Sequence, residues 1–207
     1  MITLVDYKAG NLTSVRLAFE YLGLPVRVTD DPAVIRAADR VVFPGVGAAA
    51  SAMATLRGSG LADALREVAG RGVPFLGICL GAQIILERSD EDNGVAGLGL
   101  IPGICRAFQF DDPRIKIPQM GWNAVRHLRP HPVFEGIVDK GEFYFVHSYY
   151  PAPASTADRL GETEYGGFTF VSALARSNIV ATQFHPEKSG RIGLRLLDNF
   201  ARWDGTC

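Results

Sequence analysis

The sequence predicts an α/β fold: a mostly parallel central sheet with helices on both faces, carrying extra antiparallel strands in its second half. Three observations lead there. Short apolar runs alternate with helix-spaced apolar residues as far as Ile78. Beyond that point β-rich stretches separated by Gly, Pro and Asp turns take over. Hydrophobic residues make up 47% and charged residues 21% of the 207 positions, ordinary globular usage that supports a packed core and excludes a disordered chain. That length suits one domain spanning 1–207.

Ile2 to Val5 reads as a first strand, and Leu12, Val15, Phe19 and Leu22 follow at spacings of three, four and three, one face of a helix. Leu24 to Thr29 and Arg40 to Phe43 read as further strands. Leu61, Leu65 and Val68 mark a second amphipathic helix, closed by Gly70 and Gly72 before the buried strand Val73 to Ile78. Strand and helix in this rhythm imply parallel pairing. In the second half, Ile104–Phe108, Glu142–Val146, Phe168–Leu174 and Ile179–Phe184 read as strands, and the alternation from Phe168 to Leu174 suits a strand with two unlike faces. A last helix starts near Ser189, a plausible N-cap, and carries Ile192, Leu196, Phe200 and Trp203. No repeat, low-complexity tract or long linker interrupts the chain.

Charge excludes some partners. The net charge is −1, from 21 basic and 22 acidic residues, and no Lys/Arg block offers a nucleic-acid footprint; Arg126 and Arg129 read as a solvated loop. The N-terminus has no signal-peptide pattern. The longest mostly apolar run, Val41 to Ala54, is broken by Pro44, Gly45, Gly47 and Ser51 and is shorter than the roughly 20 residues of a membrane helix. Cys79, Cys105 and Cys207 form no even framework and no CxxC pair, which points to a reduced, cytoplasmic protein in which one thiol is free for catalysis. No metal-ligand cluster, dinucleotide fingerprint or Walker loop is present, so neither metal nor cofactor is expected.

The segment Val73 to Gln83 carries the chemistry. An apolar strand ends in Gly77-Ile78-Cys79-Leu80-Gly81 and helix formers follow at once, the cysteine version of a nucleophile elbow. Flanking glycines remove side chains from a tight strand-to-helix turn. The turn sets the sulfur by a helix N-terminus, which favours the thiolate, and leaves the Leu80 N–H to face a developing oxyanion. Cys105, within a strand, reads as a buried structural thiol, and Cys207 as a frayed end. Of the four histidines, His127 and His131 sit in a Pro- and Arg-rich loop and read as surface residues, and His147 follows a strand and can line a pocket. His185 is the strongest base candidate. It follows the strand from Ile179, Pro186 stops that strand from running into a helix, and Glu187 projects from the same side of the extended chain to orient the ring.

Here the chain resembles a known family. Gly77-Ile78-Cys79-Leu80-Gly81 with Gln183-Phe184-His185-Pro186-Glu187 is similar to the class I (triad) glutamine amidotransferases. Asp6-Tyr7, Gly10-Asn11-Leu12, Pro44-Gly45-Val46-Gly47, Met120-Gly121-Trp122-Asn123, Tyr144-Phe145-Val146-His147-Ser148-Tyr149 and His185-Pro186-Glu187-Lys188-Ser189-Gly190 resemble the branch that serves as glutaminase subunit of imidazole glycerol phosphate synthase. The resemblance implies a flavodoxin-like fold and glutamine hydrolysis through a Cys79 thioester. It also implies a heterodimer with a (β/α)8 synthase subunit, which takes the ammonia in histidine biosynthesis. It assigns Cys79, His185 and Glu187 to the triad, and the oxyanion hole to Leu80 with Val46 and Gly47. Gly45, Gln83, Ser148 and Tyr149 are assigned to the substrate, and Asn11, Met120, Trp122, Tyr144 and Lys188 to the partner-facing surface. Glycines on both sides of Val46 free its peptide to reorient. Lys8, Ala82 and Gln119 depart from the family's usual glycine, methionine and histidine at interface and pocket positions. A paralogue feeding ammonia to another synthase, a stand-alone cysteine hydrolase and a non-catalytic scaffold are the other readings of the same residues.

Overall fold

The computed structural model describes residues 1–8 and 11–206; the expectation for Cys207 falls outside them. Among the described residues the α-helices are α1 (Leu12–Tyr21), α2 (Pro32–Arg36), α3 (Ala49–Gly58), α4 (Leu61–Gly70), α5 (Leu80–Ile84) and α6 (Gly190–Arg202). The strands are β1 (Ile2–Val5), β2 (Val26–Thr29), β3 (Val41–Gly45), β4 (Phe75–Cys79), β5 (Leu86–Ser89), β6 (Val95–Ala96) and β7 (Ile101–Ala107). They continue with β8 (Gln119–His127), β9 (Gly141–His147), β10 (Tyr149–Pro153), β11 (Arg159–Tyr165), β12 (Phe168–Arg176) and β13 (Ile179–Thr182).

A nine-stranded sheet runs β2-β1-β3-β4-β13-β12-β11-β8-β9. From β2 to β13 neighbours pair in parallel, and from β13 to β9 they pair antiparallel. The expected mixture is present, but a second sheet, β10-β7-β5-β6, was not separable in sequence. Residue alternation divides the core. Ile2, Leu4, Val42, Leu76, Ile78 and Val180 pack with Val15 and Phe19 of α1 and Leu196 and Phe200 of α6. Their neighbours Val5, Val41, Phe43, Phe75, Ile179 and Ala181 pack with Ile35 of α2, Met53 and Leu56 of α3 and Leu65 and Val68 of α4. A period of two along each strand therefore feeds two opposite helix layers, as doubly covered parallel strands require. β12 is buried on both faces from Phe170 to Ala175, with only its ends exposed.

Three readings change. Ser189 does flank α6, but its side chain makes no cap; instead its hydroxyl donates to His185 O at 2.6 Å and accepts the Tyr144 N–H at 3.0 Å. His131 is buried, accepts the Val133 N–H at its Nδ1 (3.2 Å) and meets Trp203 edge-on. His127 stacks on Phe134 with ring centroids 4.0 Å apart. The Pro-rich loop thus has an apolar scaffold, supplied by Phe134 within it and by the distant Trp203, so these are not bare surface histidines.

Candidate active site

Adjacent parallel strands β3, β4 and β13 deliver the site from their C-terminal ends. Gly45 pairs with Cys79 and Ile78 with Thr182, so the residues just beyond converge at the carboxyl edge where open α/β sheets place ligands. Cys79 has φ 53 and ψ −107, a strained conformation for a residue with a side chain and the mark of a nucleophile elbow. Its glycine neighbours are required by packing: a Cβ on Gly81 would lie 2.0 Å from Phe43 O, and one on Gly77 would press on the Gly81 backbone at 3.1 Å. Leu80 opens α5, a position whose N–H has no intrahelical partner.

Val46, Gly47, Cys79, Leu80, Gln83, Ser148 and Tyr149, seven of the expected residues, line one cavity of about 360 Å³, within the range of small-ligand sites. His147, Val146 and Glu91 complete its wall. A larger hollow of about 930 Å³ beside His127 and Arg129 contains none of the expected catalytic residues. The two loop glycines differ. Gly47 has φ 101 with open space where a Cβ would be, so it serves conformation. Gly45 has an ordinary φ and serves contact, because a Cβ there would fall 1.8 Å from the Tyr7 hydroxyl.

His185 is fully buried and its Nδ1 lies 2.7 Å from Glu187 Oε1. The pair meets across a 3₁₀ turn, Pro186–Lys188, rather than along an extended segment as expected: Pro186 takes the first helical position and the turn brings Glu187 back. The His185 N–H donates to Tyr144 O at 2.9 Å, so with Ser189 the loop is stitched to β9. Asn11, expected at the partner surface, donates instead to Glu187 Oε1 at 2.5 Å. Burial alone lowers the pKa of His185, but the Cys79 thiol and the Glu187 carboxylate together outweigh it and raise the value to about 10. His185 Nε2, however, is left buried without a partner, so the ring itself makes no hydrogen bond to the sulfur.

Next to Cys79, Gln83 Nε2 donates to Tyr149 O and to Gln183 Oε1, both at 3.0 Å. Gln183 Nε2 reaches the Cys79 sulfur at 3.7 Å. His147 Nδ1 lies 2.7 Å from the same Tyr149 carbonyl, and burial lowers its pKa to about 3, so the ring is neutral. Cys105 is fully buried and its thiol is pushed up by desolvation, in line with a structural role. Met120 and Trp122 of β8 are 64% and 52% exposed, Trp122 meets Tyr144 edge-on, and Lys188 Nζ sits 5.9 Å over the Tyr144 ring. These four form one apolar, cation-capped patch. Of the departures, Gln119 is fully buried, bonded to Asn123, and so lies under that patch rather than on it; Ala82 is buried; Lys8 is exposed with φ 64, where glycine is the natural residue.

The Glutamine amidotransferase class-I family model matches residues 3–202. The chain belongs to the class I glutamine amidotransferases. Among its relatives, imidazole glycerol phosphate synthase subunit HisH of Desulfovibrio desulfuricans is 51% identical over 205 residues, 97% of this chain and 93% of that protein. The HisH subunit of Moorella thermoacetica is 52% identical over 199 residues, 96% and 93% of the two chains. Within the class I glutamine amidotransferases, then, this chain falls in the HisH family. Solved glutamine amidotransferases share its fold: one at TM-score 0.71 and 17% identity covers 97% of this chain and 100% of its own, and one from Thermotoga maritima at TM-score 0.66 and 16% identity covers 97% and 81%.

Sequence reasoning missed Glu91 of this amidotransferase site, gave no role to Tyr7 or Gln183, and gave Asn11 only the partner surface. Glu91 lies in the acidic turn Asp90-Glu91-Asp92, and its carboxylate lines the cavity and accepts the Ala49 N–H at 2.6 Å. Gln183 was visible only as part of the motif around His185. Tyr7 and Asn11 come from the loop after β1, where only the fold reveals their approach to Gly45 and Glu187.

Proposed function

We propose that this chain is the glutaminase subunit of an imidazole glycerol phosphate synthase, with Cys79, His185 and Glu187 as its triad. The observation that carries the reading is the buried His185–Glu187 pair beside an elbow cysteine in a cavity shared with Gln83, Ser148 and Tyr149. The family and the relatives of about half identity support the same reading. His185 Nε2 takes the Cys79 proton, and the thiolate adds to the carbon of the glutamine carboxamide. The oxyanion is met by the Leu80 N–H and by an N–H of the Gly45-Val46-Gly47 loop. Collapse breaks the C–N bond, and ammonia leaves with the proton from the His185 imidazolium. Water, giving its proton to His185, then cleaves the thioester and frees glutamate. Glu91 is the charge complement of the glutamine α-ammonium, and Gln83, Ser148 and Tyr149 hold the rest of the substrate.

A (β/α)8 synthase subunit takes the ammonia through its barrel and makes imidazole glycerol phosphate and aminoimidazole carboxamide ribotide. Met120, Trp122, Tyr144 and Lys188 form the surface it covers, and the setting is cytoplasmic, consistent with free Cys79 and Cys105. The unpartnered Nε2 of His185 fits a resting state that tightens when the synthase binds its nucleotide and the loop at Gly47 turns. The test mixes the chain, a barrel synthase and its nucleotide and follows glutamate release with each omitted in turn. Cys79→Ala loses glutamine-dependent synthesis and keeps ammonia-dependent synthesis; glutamine-dependent turnover by that variant would end the proposal. Full glutamine hydrolysis by the chain alone would instead favour the stand-alone hydrolase.

A further inference from the structure

A hydrogen-bonded chain ends at the Cys79 sulfur, and its polarity is set by a backbone oxygen. Tyr149 O can only accept, so the side of Gln83 facing it at 3.0 Å must be the amide nitrogen. The second N–H of that nitrogen goes to Gln183 Oε1 at 3.0 Å, which turns the Gln183 nitrogen toward Cys79 Sγ at 3.7 Å. Rotating the Gln83 amide would face oxygen with oxygen, and rotating the Gln183 amide would face nitrogen with nitrogen. Gln183 is fully buried, and its backbone N–H is held by Ser172 O at 2.9 Å, so the side chain has no solvent to turn to. An N–H fixed on a sulfur favours S⁻ over S–H, because a hydrogen bond to an ion is about twice as strong as one to a neutral group.

We propose that Gln183 is a further catalytic residue: its amide holds the Cys79 thiolate, and the Gln83–Tyr149 carbonyl relay fixes its direction. The inference rests on Cys79 being the nucleophile. The other ionisable groups around the sulfur are His185 beyond β13, Tyr7 beyond β1, Cys105 of β7, His147 of β9 and Glu91 before β6.

The test is the pH dependence of Cys79 alkylation by iodoacetamide in the isolated full chain, read by mass spectrometry of the Cys79 peptide. In Gln183→Met, close in volume, the alkylation midpoint moves up by about one pH unit and the rate at pH 7 falls roughly ten-fold. Gln83→Met, which leaves Gln183 in place and frees its orientation, gives a smaller shift of the same sign, and it decides the matter if Gln183→Met does not fold. A folded variant with the wild-type midpoint overturns the proposal. In that event, loss of glutamine use in Cys79→Ala still leaves the glutaminase reading standing; retention of it removes both.

Discussion

Two buried histidines flank Cys79, and they are driven in opposite directions. His185, past the end of β13, has Glu187 at 2.7 Å and the thiol nearby, and its pKa rises to about 10. His147, the last residue of β9, has only a carbonyl at 2.7 Å and a wall of Phe108, Phe145 and Phe170, and its pKa falls to about 3. Burial is comparable and penalises the cation in both. The formal charge of the neighbour decides which ring carries a proton at neutral pH. One region of the site is therefore built to hold and pass a proton, and the other to fix a backbone carbonyl without charging at neutral pH.

The sharpest way to break this contrast is to remove the charge from the first region. Glu187→Gln keeps the shape but loses the carboxylate, and glutamate release by the complex falls roughly 10³- to 10⁴-fold, the loss expected when a triad imidazole is left without its acidic partner. The second region is tested by acid. A histidine with a depressed folded pKa contributes stability that is complete above its unfolded value near 6.5 and is lost as pH falls toward about 3. Urea unfolding from pH 7 to pH 4 therefore shows a decline, and His147→Gln flattens it by about 2–4 kcal/mol. For His185 the sign reverses. Its raised pKa contributes stability that is complete below about 6.5 and is lost as pH rises through about 10, so His185→Gln flattens the alkaline limb and leaves the acid one alone. The smallest effect is that of Asn11→Ala. It removes one donor to Glu187 while leaving the ion pair, and turnover falls about ten-fold with little change in KM.

What could be read in advance follows from how local each signal is. Gly77 and Gly81 betray the elbow because a turn that tight leaves no room for a Cβ, and two-residue spacing was enough to connect Glu187 with His185. The parallel strands β1, β3, β4 and β13 announced themselves through apolar runs buried on both faces. β8 escaped notice because Gly121, Asn123 and an exposed Trp122 dilute its pattern; its partner β9 supplies the reason it is a strand. Glu91 and Asn11 escaped because their roles depend on chain far away in sequence, against Ala49 and Glu187. His131 misled for the same reason, since the apolar wall that buries it is Trp203.

The place of β13 in the sheet has a consequence for biogenesis. It follows every other strand in the chain, yet it lies between β4 and β12 and joins the parallel and antiparallel halves. During synthesis, the elbow cysteine is made about a hundred residues before its histidine, and the gap that β13 fills stays open until nearly the whole chain has emerged. Long-range pairings of this kind form late and slowly. A nascent or truncated chain thus carries the thiol without the base. On the proposed triad, hydrolytic activity therefore waits until the sheet is closed.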